Sequence, residues 1–182
     1  MRNIRTTAIA TLTAMLVAAP AALADEYGGA SPGDSSPPVI STPTTPTVAG
    51  SRAVIKSGLA YAPAAAPLAV KQVIWAGNKI RNLPYVWGGG HGSWVARGYD
   101  CSGSVSYALH GASLLRSPLV SGDLARWGDR GRGTWITIYA NGGHVFMTVA
   151  GLRFDTSGAH PNRWQVAMRS ASGYAIRHPR GF

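Results

Sequence analysis

The hydrophobic period of this chain changes near residue 133, and that change limits the folds open to it. Upstream, Val70, Val73, Ile74, Gly77 and Ile80 recur at helical spacing behind Pro67, whose fixed φ suits a first helical turn. Asn82 and Pro84 end that helix. A glycine-rich loop follows, Trp87-Gly88-Gly89-Gly90-His91-Gly92. Then Gly98-Tyr99-Asp100-Cys101-Ser102-Gly103 leads into a second helix through Val105, Tyr107, Ala108, Leu109 and Ala112, ending before Pro118. Downstream the spacing is that of strands. Trp135, Thr137 and Tyr139 alternate with Ile136 and Ile138, Asn141-Gly142-Gly143 is a hairpin turn signal, and residues 144–150 form a second strand. A short third strand is expected over 153–156 and a last one at Tyr174-Ala175-Ile176. Helices first and antiparallel strands afterwards define an α+β domain.

The domain does not begin at residue 1. Arg2 and Arg5 precede an alanine-rich apolar stretch that ends at Ala22-Leu23-Ala24, a pattern that signal peptidase reads. Residues 1–24 are therefore expected to be a signal peptide, with Asp25 as the mature N-terminus. Residues 25–50 carry Pro37-Pro38 and Thr42-Pro43-Thr44-Thr45-Pro46 and read as a Ser/Pro/Thr-rich linker. Residues 51–65 are a transitional arm in which Val54-Ile55 and Leu59-Ala60-Tyr61 are candidate short strands. Residues 66–182 are the domain. The whole chain of 182 residues, 46% apolar, has room for one core of ordinary size. No apolar run after residue 25 is long enough to span a bilayer.

A single cysteine rules out a disulfide framework within the chain and a zinc site built on two or more thiolates. No metal or cofactor is expected. In an exported protein that lone thiol needs a reason. Cys101 sits at the expected start of a helix, where partial positive charge and free amides favour thiolate, the nucleophilic form. Position alone is equally compatible with a buried, inert cysteine.

A cysteine nucleophile needs a base. His144 follows the hairpin turn and opens a strand, which makes it the best candidate. His91, in the glycine-rich loop, is placed to line the same cleft. His110 falls about two and a half turns beyond Cys101, too far along the axis to reach the sulfur. His160 and His178 neighbour prolines in loops and read as surface residues. From Ala66 onward the only acids are Asp100, Asp123, Asp129 and Asp155. Asp123 and Asp129 read as surface groups. Asp155, on the strand after His144, is a candidate to orient the imidazole, or equally a turn residue pairing with Arg153.

Pro84-Tyr85-Val86-Trp87-Gly88-Gly89, Tyr99-Asp100-Cys101-Ser102-Gly103-Ser104-Val105 and Gly143-His144-Val145 together resemble the NlpC-type cell-wall peptidases. The resemblance covers about residues 66–182. It implies a compact papain-like fold in which the cysteine starts a helix packed on a small antiparallel sheet that carries the histidine. By the same resemblance Cys101 is the nucleophile, His144 the base, and Tyr85 lies near the oxyanion site. Asp100 and Ser102 match positions that grip a substrate amine, and Trp87 and His91 are counted with them as substrate-binding. The family's third polar residue falls here on Asp155 or Thr156. Spacing leans to Thr156, chemistry to Asp155, and Asp155 is preferred. The implied activity is hydrolysis of an amide bond in peptidoglycan stem peptides, the D-glutamate to diamino acid bond first. A catalytically silent wall-binding protein and an amidase or acyltransferase with the same dyad are the alternatives.

The chain carries 17 Lys and Arg against 7 Asp and Glu, a formal charge of +10. The basic residues are scattered singly, which argues against a nucleic-acid reader. A secreted cation instead suits retention on the anionic polymers of a cell wall. The expected partners are thus stem peptides and wall polymers, with no nucleic acid and no stable membrane insertion, and the expected state is a monomer.

Overall fold

The computed structural model describes residues 45–158 and 162–182, so the expected signal peptide, most of the linker and His160 lie outside the described residues. The described residues form a mixed α+β structure with two sheets. No described helix is long and apolar enough to cross a membrane.

The first sheet is built from β1 (Thr47–Val48), β2 (Val54–Lys56) and β3 (Leu59–Pro63), in the order β1-β3-β2. Both strand candidates of the arm are strands, and they pair antiparallel. The linker reading, which ran to residue 50, is corrected at its end. β1 lies inside that stretch and pairs parallel with β3, and Pro46 accepts a further bond from the Ala62 N–H. A Thr-Pro-Thr-Val sequence has no helical or alternating signature. Its strand exists because β3 offers a free edge.

Helix α1 (Leu68–Ile80) starts behind Pro67, as expected, and buries Val70, Val73, Ile74, Gly77 and Ile80, the whole stripe read from the spacing. Each fully buried Val or Ile contributes roughly 2 kcal/mol by leaving water. Helix α2 (Cys101–His110) crosses α1 closely. A Cβ on Gly111, just past its end, would collide with the Ala76 side chain, so glycine is needed for that approach. α3 (Ser121–Leu124) is a single turn.

The second sheet has six strands in the order β4-β9-β5-β6-β7-β8, all antiparallel. They are β4 (Asp129–Arg130), β5 (Ile136–Ala140), β6 (Val145–Val149), β7 (Leu152–Phe154), β8 (Trp164–Gln165) and β9 (Ala175–His178). Ile136, Ile138, Ala140, Val145, Met147 and Val149 face the helices and are fully buried. β5, β6 and β7 are shorter than expected by one or two residues, while β9 runs on to His178. His144 lies just before β6, and Asp155 and Thr156 lie past the end of β7 rather than on it. β4 and β8 have two residues each and show no period of their own.

A buried arginine ties the layers together. Arg163 is 2% exposed and donates to the carbonyls of Ile80, Leu83 and Tyr99 at 2.6, 2.7 and 3.1 Å and to Ser104 Oγ at 2.9 Å. Burial pulls its guanidinium down to about 10. It thereby joins the end of α1 to the residues that precede Cys101. Arg163→Met keeps the apolar stem but leaves these acceptors unmet, each at roughly 1–3 kcal/mol. A loss of stability on the order of 3 kcal/mol or more is expected in urea unfolding, with little recovery in Arg163→Lys. A midpoint like that of the unsubstituted protein would show the network to be dispensable.

Candidate active site

Asp100 is the N-cap of α2, and its Oδ1 accepts from the Gly103 N–H at 2.7 Å. Cys101 is therefore the first residue of the helix. Small residues allow the glycine-rich loop to seat on it: a Cβ on Gly103 would collide with the Gly89 carbonyl, and Asp100 Oδ2 accepts from the Gly88 N–H at 3.1 Å.

His144 is set by the turn before it. Asn141 Oδ1 accepts from the backbone N–H of Gly143 and of His144, both at 2.9 Å, and the Asn141 N–H donates to the His144 carbonyl at 3.0 Å. His144 Nε2 lies 2.9 Å from Asp155 Oδ1. Cys101 is also a neighbour of the ring, close enough that each group shifts the other's proton affinity. Cys101, His144 and Asp155 thus form one connected row.

The carboxylate at its end is strongly held. Asp155 is 3% exposed. Its Oδ1 also accepts from the Ser157 N–H at 2.9 Å, while Oδ2 takes Ser157 Oγ at 2.8 Å and Arg169 Nη1 at 3.1 Å. Arg153 Nε lies 3.5 Å from Oδ2. This turn bends the chain after β7 and aims the carboxylate at His144. Thr156 makes no side-chain bond to the imidazole, so the contact falls to Asp155.

The charges in the row support one another. Burial pushes Asp155 up, but the bonds from His144, Ser157 and Arg169 outweigh it and bring it down to about 2. The bond to Asp155, then the bond to Cys101, raise His144 to about 9 against the opposing effect of burial. Burial raises the Cys101 thiol, yet the His144 bond, the Val145 backbone N–H and the imidazolium charge together leave it lowered. The negative charge of Asp100 acts in the opposite direction. At neutral pH the arrangement favours a thiolate–imidazolium pair beside an ionised carboxylate.

A cleft of about 280 Å³ opens over the sulfur, lined by Trp87, His91, Asp100, Cys101, Ser102 and Gly143 among others. His91 Nε2 sits 3.1 Å from both Asp100 oxygens and from Ser102 Oγ, so three expected substrate-binding residues form a single polar cluster. Trp87 is 85% exposed at the cleft edge. Tyr85 is half exposed. Its hydroxyl is raised by burial and then by the charges of Cys101 and Asp100, which marks it as their neighbour. His110 stays away from the sulfur, stacked on Trp94 with ring centroids 3.9 Å apart. A second cavity of about 570 Å³, lined by Trp75, Trp94, Tyr107 and His110 among others, lies toward the far end of α2 and contains neither Cys101 nor an acid.

Arg153, named from the sequence as a partner of Asp155, does lie beside it, whereas Arg169 and Ser157 were missed by sequence reasoning. Ser157 sits in the turn after β7 and Arg169 in the segment after β8, and no local pattern marks them. Asp123 and Asp129 pair with Arg126 and Arg180 at the surface, as expected. No family model and no curated protein sequence matches this chain.

Proposed function

We propose that this protein is a secreted cysteine peptidase that hydrolyses amide bonds in peptidoglycan stem peptides, on a compact papain-like fold. The reading rests on the His144 ring, hydrogen-bonded to Asp155 and neighbouring Cys101 at the start of a helix. The Cys101 thiolate attacks the amide carbonyl. The resulting oxyanion is held by the Cys101 backbone N–H and the Tyr85 hydroxyl. The His144 imidazolium gives its proton to the leaving amine, which departs with the C–N bond pair. Neutral His144 then takes a proton from water, the oxygen adds to the thioester, and the thiolate leaves with the C–S bond pair. Asp155 keeps the ring oriented throughout. Asp100 and Ser102, with His91 across them, are the groups for a substrate amine, and Trp87 offers a flat face at the cleft edge. The D-glutamate to diamino acid bond is the first candidate.

Mass spectrometry of purified muropeptides after incubation with the protein tests both activity and bond. New products split within the stem are expected, while unchanged muropeptides or cuts confined to the glycan would overturn the reading. Without Arg2 and Arg5 of the signal peptide the chain keeps 15 Lys and Arg against 7 acids, a charge of +8 that supports retention on anionic wall polymers. Binding to isolated walls is expected to fall steeply as salt rises from about 0.05 to 0.5 M, since screening shortens the reach of exposed charges. Retention insensitive to salt would point to a specific receptor instead.

A further inference from the structure

Beyond the cleft, one pocket has cations but no acid. It has a volume of about 350 Å³ and is lined by Arg132, Tyr139, Phe146, Thr148, Met168 and Arg169 with two small residues, Gly151 and Ala171. Phe146 and Thr148 follow His144 at every second position along β6, and Tyr139 is the cross-strand partner of Phe146. The Tyr139 and Phe146 rings stack at 4.6 Å and make an apolar wall. Arg169 lies across it, its guanidinium 5.1 Å from the Phe146 ring and 5.6 Å from that of Tyr174. Arg169 Nη1 is committed to Asp155 Oδ2 and Ser157 Oγ, while its Nε and Nη2 have no hydrogen-bond partner among the described residues. Arg132 is exposed and has no carboxylate within ion-pair distance among the described residues. Arg52 adds a third guanidinium, packed against Gly151 at the pocket edge.

We propose that this pocket binds an oxyanion, a phosphate or carboxylate group, between Arg132 and the free edge of Arg169, and that the bound anion is electrically coupled to the catalytic row through Arg169. Two guanidinium groups over an apolar floor, with no competing acid in the lining, are complementary to such a group. Arg169 need not release Asp155 to take it, because a guanidinium donates from several edges. The groups facing this path are Asp155, Arg153 and Ser157 on one side, His144 and Cys101 beyond them, and Arg52 and Arg132 at the mouth. An anion there offsets the positive charge that Arg169 places beside Asp155, the partner of His144. The imidazolium is then held to higher pH. Anion binding is independent of the peptidase reading, and its effect on His144 requires only the ion pair seen in the structure.

Titration of the full chain with inorganic phosphate, followed by nuclear magnetic resonance of backbone amides and histidine rings at matched ionic strength, tests this. Saturable shifts are expected at Phe146, Thr148 and the residues around Arg169, with a Kd on the order of millimolar at low salt. Acetate is expected to act at the same residues more weakly, and chloride not at all. The His144 midpoint is expected to rise by about half a unit at phosphate saturation. Arg132→Gln should weaken phosphate about tenfold and abolish the phosphate-induced rise of the His144 midpoint. An equal response to chloride, or undiminished affinity in Arg132→Gln, would overturn the site. A phosphate-bound protein with an unmoved His144 midpoint would overturn the coupling.

Discussion

Cys101→Ser is expected to bring muropeptide hydrolysis to background, a loss of about 10⁴-fold or more, with the fold intact. The side chain lies at the first position of α2, where a hydroxyl is sterically acceptable and serine suits a helix start. What disappears is the stable anion. His144 and the Val145 N–H lower the thiol against the opposing effect of burial, whereas an aliphatic hydroxyl starts many units higher and stays protonated. The same groups predict the behaviour of the unsubstituted protein toward a neutral electrophile. Alkylation by iodoacetamide is expected to inflect well below the free-thiol value of about 8.5, and His144→Ala should move that inflection upward. A Cys101 that reacts only after unfolding would mean an inert thiol, and would favour the silent wall-binding alternative.

The parts of this site that were legible in advance are those set by local physics. An aspartate cap followed by small residues announces the helix start at Cys101, and the Asn141-Gly142-Gly143 turn announces a rigid position for His144. The stripe of α1 is buried in full because spacing of that kind has one interior face. What was not legible depends on where distant segments meet. β1 needs the edge of β3, and β4 and β8 are held by β9 and β7 rather than by any pattern of their own. The choice between Asp155 and Thr156 turned on where β7 ends. On a continuing strand the alternation of faces would have decided it, but the chain leaves the strand after Phe154, and the Ser157 bonds then aim Asp155. Arg163 and Arg169 look like any other scattered cations in the sequence, although the first is a buried cross-tie and the second flanks the carboxylate.

Asp155→Asn separates the charge of the orienting residue from its shape. The amide can still face the ring, so the geometry of the row survives. The bond to an ionised carboxylate, the main cause that raises His144 to about 9, does not, and Arg153 and Arg169 remain beside residue 155 with no carboxylate charge to oppose them. His144 is therefore expected to fall back toward or below its ordinary value of about 6.5. Less imidazolium at neutral pH means less thiolate, and turnover should drop tens- to a thousand-fold by analogy with other triads. Stability carries a second signature. In the unsubstituted protein His144 is raised, so its contribution is complete below about 6.5 and is lost as pH rises through about 9. Asp155 is lowered to about 2, so its contribution is present above about 4 and is lost as pH falls through about 2. Thermal unfolding should thus show a decline in Tm between pH 6.5 and 9 that Asp155→Asn largely removes. Thr156→Val, which touches no bond to the ring, should be mild in both assays. A near-normal Asp155→Asn beside a crippled but folded Thr156→Val would transfer the orienting role to Thr156, and an Asp155→Asn that keeps the wild-type decline in Tm would place the titrating group elsewhere.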